Sequence, residues 1–131
     1  MMPFRVDVAL ALVRIMLGVV FVAHGSQKVL GIFGGSGLQQ FVSWITSLGV
    51  PAIFGYAAAL CELFGGLMLL FGIASRLGAL MIIPVMVAAI ILVHLKSGFF
   101  GPQGFEYPLV LLICALAIFL GGSGAFALFD W

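Results

Sequence analysis

The chain has 131 residues, of which 65% are hydrophobic and 7% charged, and its mean hydropathy is +1.39. Soluble domains are closer to half apolar and a quarter charged, so this composition excludes an ordinary soluble class. A formal net charge of +1 provides no basic stripe to follow a phosphate backbone, which sets nucleic acid aside as a partner and points to no acidic partner either.

The fold class expected is all-α, a polytopic four-transmembrane-helix bundle with a short interfacial helix between helices 1 and 2, forming one domain over residues 1–131. A hydrocarbon core of about 30 Å takes roughly 20 helical residues to cross, which leaves room for about four spans. The first apolar run extends from about Val6 to Val29 and ends in the glycines 31, 34, 35 and 37. Arg14 interrupts it and no A-x-A pattern stands immediately before Gly25, so it reads as a retained span rather than a signal peptide. From Leu38 to Leu48, apolar residues at helical spacing around Trp44 suit an interfacial helix with an aromatic anchor. Pro51 opens the second span, which runs to about Ala74 with Glu62 as its one charge, and Arg76 marks the turn.

The third span, from about Leu77 to Leu95, is uncharged; Pro84 removes a backbone donor and is expected to kink it. His94 and Lys96 close it. The connection from Ser97 to Glu106 is rich in Gly and Phe, too apolar for a free loop, and is expected to be irregular and tucked against the bundle. Pro108 starts the fourth span, which reaches about Leu120, with Glu106 at the positive end of the helix dipole and the 125–129 segment in or against the membrane. Arg5, Arg14 and Arg76 fall toward one side and Lys28 and Lys96 toward the other, which leans to both termini being cytoplasmic.

The polar residues share faces. Arg14, Gly18, Phe21, Gly25 and Lys28 recur every three or four residues, with His24 beside them, and Gly55, Ala59, Glu62 and Gly66 make a similar ladder on span two. Small residues bring membrane helices close, and an isolated ion in hydrocarbon costs at least about 2.5–3.5 kcal/mol, so Arg14 is expected to pair with Glu62. The plain alternative is that such a pair only fixes helix register. His24, Lys28, His94, Lys96, Glu106 and Tyr107 all fall at span ends meeting the face opposite the termini. Taken singly, Lys96 and Tyr107 read as interfacial anchors, whereas two histidines near a buried carboxylate can titrate or shuttle protons. H-G-x-x-K at His24 to Lys28 is echoed by the H-L-K-S-G-F-F that starts at His94, which would fit a duplicated hairpin. Cys61 and Cys114 form no CxxC pair, and no metal-ligand set is expected.

Arg14, H-G-x-x-K at His24 to Lys28, E-x-x-x-G at Glu62 to Gly66, G-I-x-x-R at Gly72 to Arg76, the E-Y-P of Glu106 to Pro108, and the G-x-G…L-F-D ending at Gly122, Gly124 and Leu128 to Asp130 together resemble the DoxX family of small bacterial membrane proteins. The resemblance covers nearly the whole chain. It implies a four-helix bundle in the bacterial cytoplasmic (inner) membrane, associated with thiosulfate or sulfur oxidation coupled to quinone or with membrane oxidoreductase assemblies. Carried over by position, Arg14, His24, Lys28, Glu62, Glu106 and Tyr107 match its polar motifs.

The leading expectation is a subunit of a membrane redox complex that interacts with quinone or quinol. Glu62, Arg14 and His24 are its candidate catalytic residues, and His24, Lys28, His94, Glu106 and Tyr107 the candidate headgroup binders. Glu62 would relay protons, and the tail would lie among Phe21, Leu63 and Met86. The alternatives are a non-catalytic scaffold whose Gly-rich faces dock another membrane protein or a second copy, a haem held between His24 and His94, and a small-molecule transporter.

Overall fold

The computed structural model describes residues 3–100, 102 and 104–129, and these build an all-helical chain. Helix α1 covers Phe4–Val29, α2 Leu38–Ser47, α3 Ala52–Phe71, α4 Ser75–Ala89 and α5 Glu106–Gly121. A π-helical turn, Ile90–His94, and a 3-10 turn, Leu95–Ser97, extend α4. Three of these helical stretches, Phe4–Val29, Ala52–Phe71 and Ser75–Ser97, are long and apolar enough to cross a membrane, and Glu106–Gly121 is a shorter apolar helix. The expected helix order and the short amphipathic helix between the first two spans are present.

Glycines set how the helices meet. A Cβ on Gly18 would stand 2.4 Å from Leu70 N, one on Gly25 2.5 Å from Leu63 Cα, and one on Gly66 2.7 Å from Val22 N. Helices α1 and α3 therefore run antiparallel with their backbones in contact, as small residues permit where apolar burial alone does not drive association. Gly65 and Gly78 bring α3 and α4 together in the same way, a Cβ on Gly65 standing 2.9 Å from Gly78 O. The core beneath these contacts joins Leu17, Phe21, Leu69, Ile82, Met86, Leu111 and Ile118 from four helices. A smaller cluster seats Phe41 and Val42 of α2 on Ala59 of α3.

That register corrects the expected Arg14–Glu62 pair. It places Glu62 across from the Ser26–Lys28 turn of α1 and Arg14 across from the end of α3, an axial offset of roughly 18 Å at about 1.5 Å per residue. Arg14 is fully buried and binds only carbonyls: its Nε donates to Ser123 O at 2.9 Å, Nη1 to Leu69 O at 2.9 Å and Leu70 O at 3.5 Å, and Nη2 to Ala125 O at 2.9 Å and Phe126 O at 3.1 Å. Two of these acceptors belong to the last turn of α3, where the helix dipole is negative and unpaired carbonyls collect.

The segment after α5 is held by the same cation. Ala125 N donates to Asp7 O at 3.0 Å, Phe129 N to Gly72 O at 2.9 Å and Ala74 N to Phe129 O at 2.8 Å, which makes a short parallel bridge between Ile73 and Phe129. Ser123 Oγ donates to Ser75 Oγ at 2.8 Å in the interior. The 122–129 segment thus packs on the bundle, while Phe126, Leu128 and Phe129 remain exposed. Asp130, which closes the L-F-D motif, lies outside the described residues. The described residues of the 97–106 connection are irregular after the 3-10 turn and close on themselves: Phe105 N bonds Gly98 O, Glu106 N bonds Phe99 O, and Phe99 meets Phe105 edge-on with centroids 5.3 Å apart. Helix α4 continues through Pro84, and its hydrogen-bond pattern changes at Ile90.

Candidate functional site

Glu62 is 1% exposed near the middle of α3, and its Oε2 accepts a hydrogen bond from Lys28 Nζ. Lys28 reaches it from the last turn of α1, nearly three turns inward of where α3 begins, because α3 extends past the end of α1 and α2 packs beside the overhang. The Lys28 ammonium also lies 5.0 Å from the centroid of the Phe41 ring. A cation between a carboxylate and an aromatic face is held on both sides, and the second hold ties it to α2.

Two cavities meet at this pair. The outer one, of about 450 Å³, lies between α3 and the distal half of α4, with α2 along one side; Phe41, Trp44, Phe54, Ala58 and Leu92 are among its walls. The inner one, of about 370 Å³, lies inside the bundle and is faced by Phe21, His24, Pro102, Tyr107 and Leu111. Lys28, Glu62, Met86, Ala89 and His94 line both. Both volumes fall in the range of about 300–1,000 Å³ typical of small-molecule sites, and the walls are mainly apolar with a few polar groups, as such sites are.

His24 and Tyr107 face one another across the inner cavity with ring centroids 6.4 Å apart, and Tyr107 is half exposed. His94 arrives through the π-helical turn. An extra residue in a turn rotates the side chains beyond it, and π turns inside helices occur often at functional sites. Of the residues singled out in the sequence, His24, Lys28, Glu62, His94 and Tyr107 are brought to the two cavities. Glu106 lines neither and begins α5 instead; Lys96 is exposed on the 3-10 turn; Arg14 lies at the other end of the bundle. The Gly-rich faces expected to dock another protein are occupied within the chain by the α1–α3 and α3–α4 contacts.

Phe41, Met86 and Ala89 were not singled out as site residues by sequence, since an apolar residue at helical spacing reads the same in a core and in a cavity wall. Among the described residues no group of three or more His, Cys, Asp or Glu could hold a metal ion, and Cys61 and Cys114 are free thiols on different helices.

The sequence model of the DoxX family matches residues 9–95. The chain is also 32% identical over 122 residues to the protein named "Putative oxidoreductase CatD" of Bacillus subtilis (strain 168), an alignment that covers 93% of this chain and 85% of that one. No solved structure matches the chain.

Proposed function

The chain belongs to the DoxX family of integral membrane proteins, and on that premise we propose that it is a quinone- or quinol-interacting protein, an accessory subunit of a membrane redox complex. The observation that carries this reading is the meeting of two mainly apolar cavities at one partly buried ion pair flanked by His94, with His24 and Tyr107 in the inner cavity. A ligand suited to such walls is uncharged and lipid-soluble, and it needs hydrogen-bond donors at its carbonyl oxygens. Lys28, His24 and Tyr107 supply donors, and Glu62 is placed to hold or pass a proton. The oxidoreductase name of the relative agrees with a redox role. In this reading the electrons come from another component of the complex.

In this reading α5 is the fourth span. Its 16 residues reach about 24 Å, and the 122–129 segment completes the crossing. Solvent extraction and mass analysis of the detergent-purified protein is expected to yield bound quinone. Glu62→Gln is expected to leave insertion and monodispersity intact while lowering quinol-linked electron transfer in membranes at least ten-fold. A protein that purifies without quinone and retains activity as Glu62→Gln would rule the reading out.

A further inference from the structure

We infer that the outer cavity is the tail chamber and lateral access route of the site, so that an isoprenoid chain lies between α3 and α4 beneath α2 while the headgroup reaches the Lys28–Glu62 pair and the inner cavity. This rests on the proposed quinone reading and deepens it.

The placement follows from where the helices touch and where they part. Helices α3 and α4 are in backbone contact at Gly65 and Gly78. Away from that crossing, α3 residues 54–62 and residues 85–94 of α4 and its π-helical turn form opposite walls of the outer cavity. On its α3 and α4 side the rim is apolar and exposed: Phe54 is 61% and Leu92 43% exposed, and Ala88 is exposed beside it. These residues belong to helical stretches long and apolar enough to cross a membrane, which suits that side of the rim to lipid, while Gln27 and Ser36 line the opposite side. Small side chains at Ala58, Ala88 and Ala89 leave the space open.

The occupant follows from continuity. The outer cavity ends on Lys28, Glu62 and His94, which also bound the inner cavity, and the polar groups concentrate there. A molecule filling both places its apolar portion along Ala58, Ala88 and Leu92 and its hydrogen-bonding portion at the ion pair. Phe21, an expected tail contact, lines only the inner cavity, and Leu63 lines neither. Helix α2 controls the passage, since the Phe41 ring that holds Lys28 belongs to it.

The test compares menaquinone-4 with tail-less menadione on nanodisc-embedded protein, at matched mole fraction. The readout is quenching of Trp44, which lines the outer cavity and is the remaining tryptophan once Trp131→Phe is introduced. The unsubstituted site is expected to bind menaquinone-4 at least ten-fold more tightly than menadione. Ala58→Phe and Ala88→Phe, each filling the outer cavity alone, are expected to bring menaquinone-4 to within two-fold of menadione and to leave menadione unchanged. Menaquinone-4 affinity unaltered in both variants places the tail elsewhere and overturns the inference. Loss of both quinones together in both variants overturns it too, since the chambers would then not be separable. If neither quinone binds the unsubstituted site, the quinone reading itself falls, and this inference with it.

Discussion

Glu62 and Lys28 share one hydrogen bond but not one environment, for the carboxylate is almost wholly enclosed and the ammonium is about a quarter exposed. Removing the cation strands a buried anion, while removing the charge from both leaves two polar or apolar groups with little to lose. Lys28→Met is therefore expected to destabilise the protein by about 3–5 kcal/mol, and Lys28→Met with Glu62→Gln by much less. A double-mutant cycle read by reversible unfolding in mixed micelles checks this; a double variant whose cost equals the sum of the two single costs would mean that the pair contributes nothing. The inward placement of Glu62 was legible from Gly55, Ala59 and Gly66 on the same helix face. Its partner was not, because depth counted from Lys28 and from Pro51 assumed that both start at one surface. The overhang of α3 beyond α1 is a tertiary fact, set by which glycine meets which backbone.

Helix α1 and helix α3 approach as closely as they do only because residues 18, 25 and 66 lack a Cβ. Gly25→Ala puts a methyl 2.5 Å from Leu63 Cα, a backbone atom with nowhere to move, and is expected to cost about 1–3 kcal/mol by forcing the helices apart. Because Lys28 sits one turn further along α1, the same change is expected to loosen the ion pair, so Gly25→Ala should lower quinol-linked activity as well as stability. Unchanged thermal unfolding in detergent would show that α1 can shift without loss. The helices themselves were readable from apolar run lengths, Pro51 and Pro108 near two starts, and the glycines after Val29 and Leu120. The π-helical turn at 90–94 was not, since its sequence, Ile-Ile-Leu-Val-His, has no breaker and reads as plain α-helix.

Across the whole molecule, one buried cation ties three distant stretches together. Arg14 of α1 holds Leu69 and Leu70 of α3 and the 123–126 segment; Ala125 of that segment in turn reaches Asp7, and Phe129 beyond it reaches Gly72. Hydrogen bonds to a charged donor contribute about 1.5–3 kcal/mol each, and every carbonyl left alone in the interior costs roughly 1–3. Arg14→Lys keeps the charge but loses the planar fork that serves several acceptors at once. It is expected to lower stability by several kcal/mol and to expose the 122–129 segment to protease, while the proposed quinone site at the far end keeps its affinity. A variant as protease-resistant as the parent would show that the segment is held by its other contacts. The presence of a buried, interior-facing arginine was legible; its acceptors were not, because main-chain carbonyls leave no mark in sequence.

The order in which a ribosome delivers these groups gives the Arg14 clasp a further meaning. Three of its carbonyl acceptors are made more than a hundred residues after it, as the separations of 109, 111 and 112 positions show. Until they emerge, the first helix carries an ion into the bilayer with at best the α3 carbonyls for company. The nascent chain therefore lacks these three contacts until the 123–126 segment comes back onto α1. A chain stalled after α5 would hold all its apolar helices and still lack the contact that closes the bundle.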